Sequence, residues 1–403
     1  MEFGFTEEQE RLRKEIHDFL ITALPEDFEP VGYAIGEEVQ SFLMGLQKKA
    51  GEKGYLTPGW PDEYGGLGLT AIEQGIVNEE QACLGLRWPS YLSFNQAGPA
   101  VLLFGTEEQK AKFIPPIARG EQIWLQAFTE PEAGSDEANV QLRAIKDGDD
   151  YILNGQKTFI SHTHKPDYLY TLAKTADVTP KHRGLSLFLI PGVSPGIAYR
   201  PLPTMGFGTQ NEIFFDDVRV SKEHLLGELN RGFYHAMATF EFERAGTHWA
   251  ARAKRELEEF VRFCKEEKRN GKPLIECPEA RDILAQRAIE VEIIKLVGWS
   301  STWRSGEKER LGPMPPSASS RFYYKLFADR WVKDAIDILG LFGQLKKSSK
   351  WAKLAGHMEC EWQDTRSMHG GGTIEIYKDV LARRGLGLPR PPRPVTTKTE
   401  KKL

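Results

Sequence analysis

A chain of 403 residues, 40% hydrophobic and 27% charged, has apolar material for two or three domains with their own cores. Its net charge of −4 argues against a general attraction to nucleic acid or anionic lipid, so neither is expected as a partner. Cys83, Cys264, Cys277 and Cys360 are scattered without CxxC or Cys/His spacing, which excludes a disulfide framework, argues against zinc and points to reduced thiols.

The N-terminus, "MEFGFTEEQERLRKEIHDFL", lacks an apolar run after basic residues and is too acidic for a transit peptide, so a cytoplasmic location is expected. No apolar stretch approaches the length of a membrane span. Residues 1–122 read as an α-helical domain. Thr6 and Gln9 form a capping-box pattern ahead of Leu12, Ile16, Phe19 and Leu20, which fall on one helical face. "TPGWPDEYGGLGLT" (57–70) is a Gly/Pro loop, and "GTEEQKAKFIPPIARGE" a second capped helix expected to stop at Pro115 and Pro116.

Between 123 and 226 the pattern turns to β-branched and aromatic runs, such as "DDYILNGQKTFIS", "GLSLFLIP" and "NEIFFDDVRV". Five to seven strands in a compact antiparallel sheet or barrel are expected. Residues 227–389 return to longer helices, expected at 232–267, 278–304, 321–340, 348–366 and 373–385. The segment "ARDILAQRAIEVEIIKLVGW" is apolar around much of its circumference and needs partners on several sides, in a bundle or at a subunit interface. Residues 390–403 are basic, polar and Pro-rich, the composition of a disordered tail. The fold class is α+β, in the order helical, β, helical.

Two stretches invite chemistry. In "QAFTEPEAGSD" (126–136) Thr129 offers a hydroxyl, while Gly134 and Ser135 offer backbone N–H groups that can cradle an oxygen-rich ligand. In "SMHGGGTIEIYKD" (367–379) three consecutive glycines mark a sharp turn or a close backbone approach. Together with "LNGQKTFIS", "GWPDEYGGLGLT" and "GGGTIEIYKDVLARRGLGLPR", in this order and spacing, they give a chain that resembles the acyl-CoA dehydrogenase family from residue 5 to about 389.

That resemblance implies an N-terminal helical domain, a middle β-domain and a C-terminal four-helix bundle, with FAD between the last two. The implied reaction is α,β-dehydrogenation of an acyl-CoA thioester, electrons passing to an electron-transferring flavoprotein. Phe128 and Thr129 match positions beside the flavin ring, and Ser135, after Gly134, a serine near thioester and flavin phosphate. Phe159 matches an aromatic packed on the flavin, and Ser161 a hydroxyl near its N5. Gln126, Thr373 and Glu375 are implied as further flavin contacts.

The reaction needs a base for the α-proton and donors for the thioester oxygen. Many family members carry a carboxylate where this chain has Gly371. A variant of the family places its base on the first long helix of the C-terminal domain, one residue before an arginine. The matching stretch "ATFEFERAG" gives Glu243 followed by Arg244, an arginine that could meet the substrate. Taken by itself, a helix glutamate is ordinarily a solvated carboxylate; Glu241, two residues away, lies on a different face. Gly371 is expected to make room for Glu243 while its N–H helps hold the thioester oxygen.

In "EEKRNGKPL" Lys268 or Arg269 is implied as the charge reaching a neighbouring subunit's flavin pyrophosphate, while Asp337 stands where the family often has glutamine. The branch with a helix-borne base, which includes dehydrogenases of steroid side-chain and dicarboxylyl-CoA thioesters, suggests a homodimer, a homotetramer or a heterotetramer with a paralogous chain. A flavin-supporting subunit and an acyl-CoA oxidase stand as alternatives. The acyl group is not legible.

Overall fold

Thr6 opens the first helix, its hydroxyl accepting from the Gln9 N–H while the Gln9 side chain accepts from the Thr6 N–H. The same reciprocal cap starts two further helices, at Thr70/Glu73 and at Thr106/Gln109; such caps contribute about 1 kcal/mol each. The computed structural model describes residues 4–26, 28, 37–161, 165–206, 208, 210–244, 246–306, 316–366 and 370–390. The N-terminal helices are α1 (Glu7–Ala23), α2 (Glu37–Glu52), α3 (Ala71–Cys83), α4 (Gly98–Phe104) and α5 (Glu107–Ala118). Pro115 and Pro116 do not stop α5: they sit inside its last turn, which runs on to Ala118 and closes with Arg119 N–H donating to Pro115 O.

Among the described residues the sheet has eight strands: β1 (Trp124–Ala127), β2 (Arg143–Asp147), β3 (Asp150–Ser161), β4 (Tyr168–Lys174), β5 (Leu185–Pro191), β6 (Ile197–Leu202), β7 (Gln210–Val220) and β8 (Leu225–Leu226). Their order is β6-β7-β3-β2-β4-β5-β8, with β1 added alongside β4. It is mixed rather than purely antiparallel, because β1 runs parallel to β4 and β2 meets β4 in parallel. The reason is local: residues between 127 and 143 are spent on the loop at 126–136 and a following turn, so the chain re-enters beside β4 in the same direction.

After the sheet come α6 (Gly232–Arg244), α7 (His248–Glu266), a two-strand hairpin of β9 (Lys268–Arg269) and β10 (Lys272–Pro273), and α8 (Pro278–Gly306). Then follow α9 (Pro316–Leu339), α10 (His357–Arg366) and α11 (Ile374–Val380). The helix expected over 232–267 is divided in two at Gly246, whose φ of +144° no continuous helix accepts. The one expected over 348–366 starts only at His357, because Leu354 and Ala355 take left-handed φ values of 51° and 48°. The tail at 391–403 lies outside the described residues. One apolar core joins the N-terminal helices to the sheet, and a second fills the bundle around Phe260, Phe327 and Trp331. Among the described residues no helix is long and apolar enough to cross a membrane.

Candidate active site

β1 delivers the chain into the loop at 126–136. There Glu130 and Ala133 exchange backbone hydrogen bonds at 3.0 and 3.1 Å around a two-residue turn, leaving Gly134 and Ser135 exposed beyond it. The loop is fixed to β3 by the Thr158 N–H donating to Thr129 O at 2.9 Å. Beneath it lies an ion pair absent from the sequence reading. Lys157 is fully buried, and its Nζ donates to Glu130 Oε1 at 2.8 Å, Phe128 O at 2.9 Å and Leu172 O at 2.7 Å. Glu130 also accepts from the Leu142 N–H at 2.9 Å and the Gln141 N–H at 2.5 Å. Burial pushes the Lys157 ammonium down to about 8, against the pull of Glu130. A signal for it existed: Lys157 shares strand parity with the inward residues Tyr151 and Leu153.

Phe159 sits at a register shift between Lys157 and Ile160, with φ of 55° and 58% of its surface exposed. A large aromatic held in a conformation costly for any residue with a Cβ, and turned outward, is a strained feature of the kind found at ligand sites. Ser161, two residues on, pairs with Gln210, whose Nε2 donates to its Oγ at 3.0 Å. Gln126 and Thr129 are half-buried, and Phe128 is buried with its ring 6.2 Å from that of Phe240 in α6.

Phe240 lies one turn before Glu243. The α6 backbone includes Glu243 and Arg244, while their side chains lie outside the described residues. The start of α9 brings the end of α6 and the glycine loop together. Ser320 Oγ donates to Gly246 O at 3.5 Å, and the adjacent Arg321 donates from Nη2 to Gly370 O at 3.4 Å. Positions 243 and 371, distant in sequence, therefore sit at one end of α9. His248, just past the break, is pushed down to about 3, first by burial and then by Arg321 and Arg252, so it stays neutral at physiological pH.

In the glycine loop Gly371 and Gly372 take φ of 67° and 99°. The Arg321 guanidinium reaches the space beside Gly371. A Cβ built there would meet the Arg321 guanidinium at 2.3 Å, so it is Arg321 that lies over this glycine. Thr373 uses its hydroxyl to cap α11, accepting from the Ile376 N–H at 3.2 Å, and Glu375 is exposed in the first turn. Arg269 stands apart: its Nη2 donates to Ile338 O at 2.5 Å, at the far end of α9. Seventeen residues of helix put Ile338 about 26 Å from Arg321 at 1.5 Å per residue, so within one chain Arg269 does not join the other residues.

These features suit a flavin: an outward aromatic at a bulge, an exposed turn at Gly134 and Ser135 with backbone donors, and hydroxyls at Thr129 and Ser161. Family models for the acyl-CoA dehydrogenase N-terminal, middle and C-terminal domains match residues 6–121, 126–218 and 230–386. The acyl-CoA dehydrogenase FadE26 of Mycobacterium tuberculosis is 32% identical over 97% of this chain and 99% of its own. The structure described as "Tcur3481-Tcur3483 steroid ACAD" superposes with a TM-score of 0.86 at 30% identity, over 97% of this chain and 100% of that one. The ChsE4-ChsE5 complex from Mycobacterium tuberculosis gives 0.84 at 30% identity, with the same coverage. The chain belongs to the acyl-CoA dehydrogenase family and is an FAD-dependent oxidoreductase.

Proposed function

We propose that this enzyme oxidises the Cα–Cβ bond of an acyl-CoA thioester, with Glu243 as the base for the α-proton and the Gly371 N–H as a donor to the thioester oxygen. The observation that carries the assignment is the paired contact of Ser320 with Gly246 and Arg321 with Gly370, which puts the end of α6 beside the glycine loop. Bound FAD would accept the β-hydrogen as hydride. Phe128, Phe159, Thr129 and Ser161 would hold it, with Gln126 on the approach and Gly134 and Ser135 toward the phosphates and thioester. Thr373 and Glu375, at the start of α11, would complete its surround, and Arg244 would face the substrate. Because a carboxylate deprotonates such a carbon only when water is excluded, the Phe128–Phe240 contact serves to close the site beneath the base.

Arg269, remote from the other residues in its own chain, would act on the flavin of a second subunit. Ile289, Ile293 and Leu296 leave an exposed apolar line on α8, a face suited to another bundle. The partner would be a second copy or a paralogous chain, as in the heteromeric ChsE4-ChsE5 complex. An electron-transferring flavoprotein is proposed as acceptor, and a steroid side-chain or other branched acyl group as substrate, following the steroid enzyme it resembles.

The test is an anaerobic titration of the flavin-loaded protein with straight-chain, branched, dicarboxylic, aromatic and steroid CoA esters. One of them should bleach the flavin. Glu243→Gln should retain the flavin and lose bleaching by about 10³-fold or more in rate; a variant that turns over normally removes the base assignment.

A further inference from the structure

The glycine loop is held in an unusual way. Lys325, in the middle of α9, is 3% exposed, and its Nζ donates to Gly370 O at 3.1 Å and to Gly372 O at 2.5 Å. Tyr377, buried on α11, donates its hydroxyl to Gly371 O at 2.8 Å, and the Lys325 ammonium lies 5.2 Å from the centre of the Tyr377 ring. Each of three consecutive carbonyls thus accepts from a buried side chain, and Gly370 O also accepts from Arg321. Backbone with two successive left-handed glycines has many alternatives, and these bonds select one of them.

We propose that Lys325 is a positioning residue that sets and polarises the oxyanion site. The carbonyl of Gly370 and the N–H of Gly371 belong to one peptide group. A cation on that oxygen draws charge through the amide and makes the Gly371 N–H a stronger donor. The same ammonium on Gly372 O fixes the other side of the loop, so the direction of the Gly371 N–H and its acidity come from one buried charge. Tyr377 makes the weaker, neutral counterpart on the intervening peptide. Lys325 touches neither substrate nor flavin in this scheme; it acts through the loop. The inference rests on the acyl-CoA dehydrogenation proposed above and adds the residue that tunes it.

The test uses the flavin-loaded enzyme and the 3-thia analogue of whichever acyl-CoA bleaches the wild type. This analogue has an acidic α-C–H but no β-hydrogen to give up, so its bound carbanion shows as a long-wavelength charge-transfer absorbance without turnover. The pH at which that band appears measures how well the site stabilises the enolate oxygen. Lys325→Met should bind the analogue and raise that apparent pKa by roughly one unit, a tenfold weaker stabilisation. Lys325→Arg, which keeps charge and donors, should stay near wild type, and Tyr377→Phe should shift the band upward by less.

A Lys325→Met protein whose band titrates like wild type overturns the proposal. If that variant fails to retain flavin, Lys325→Gln, which keeps a donor for the loop carbonyls without the charge, decides: an unshifted band there overturns it equally. A flavin-loaded wild type bleached by no acyl-CoA overturns the dehydrogenation reading itself, and this inference with it. Glu243→Gln, run alongside, should lose the band altogether, which separates failure of the base from failure of the clamp.

Discussion

Arg321 stands over the α-carbon of Gly371, its Nη2 2.3 Å from where a Cβ would begin. The φ of 67° favours glycine here, and any side chain added would have to displace the Arg321 guanidinium. Returning a carboxylate to this position should not restore a base. Gly371→Glu in a Glu243→Gln background is expected to stay inactive, because a Cβ on this left-handed backbone costs ~1 kcal/mol or more and the new carboxylate would pair with the Arg321 guanidinium beside it. Recovery of flavin bleaching in that double variant would show that the loop is more tolerant than its geometry implies.

Phe159 offers a test in which stability and binding move in opposite directions. Its positive φ strains any residue with a Cβ, and its ring is mostly exposed. Phe159→Gly should stabilise the flavin-free protein by ~1 kcal/mol by relieving that strain. It should also weaken FAD retention several-fold, because the flat surface is gone. Thermal melting of flavin-free protein and equilibrium dialysis of FAD read the two effects separately; loss of both stability and affinity would mean the bulge needs the ring for packing.

Part of the backbone around this site was legible in sequence, and what was missed has a physical reason. The loop at 126–136 and the three glycines announce themselves because turns and positive φ demand particular residues, whereas a phenylalanine at φ of 55° gives no sequence signal of the bulge at Phe159. The capping boxes at Thr6 and Thr106 are local and were readable as such. The break at Gly246 was not: "ERAGTHW" reads as helix, and one glycine inside a helix costs only about 1 kcal/mol, less than tertiary packing supplies. Arg321 and Lys325 were invisible for a different reason, and Lys157 gave only its strand parity as a signal. A lysine or arginine in a strand or helix is normally solvated, and only the contacts to Glu130, Gly370 and Gly372 reveal these three as buried or half-buried anchors. The mixed sheet likewise depends on where a long loop lets the chain return.

The Lys157–Glu130 pair should be worth more intact than either half. Lys157→Met leaves a buried carboxylate held only by the backbone N–H groups of Gln141 and Leu142. Removing one partner of such a pair typically costs about 3–5 kcal/mol. Because Lys157 also holds Phe128 O, the variant should lose flavin as well as urea resistance. Lys157→Met combined with Glu130→Gln should recover part of the stability, since no unpaired charge remains. A double variant as unstable as the single one would place the cost in packing rather than charge.

A second buried network makes a prediction about acid. Glu361 on α10 accepts from Arg252 Nη2 at 2.8 Å, Arg252 Nε donates to Glu256 at 2.6 Å, and Arg87, beyond α3, approaches Glu361 to 3.9 Å. The network thus ties the N-terminal region to two bundle helices. Burial alone would raise the Glu361 carboxyl, but Arg252, His357, Arg87 and Arg255 outweigh it and hold it at about 2. A carboxylate whose folded value lies below its unfolded value of 4.5 stabilises the protein fully above 4.5. That contribution drains away as pH falls from 4.5 toward about 2, where the folded form also takes up the proton. Other acids protonate over the same range, so the informative quantity is a difference. Urea midpoints of wild type and Glu361→Gln, measured from neutral pH down through this window, should lie far apart at neutrality and converge as pH falls. Parallel curves would mean that the arginines gain nothing from the charge of Glu361, and that the junction is held by packing alone.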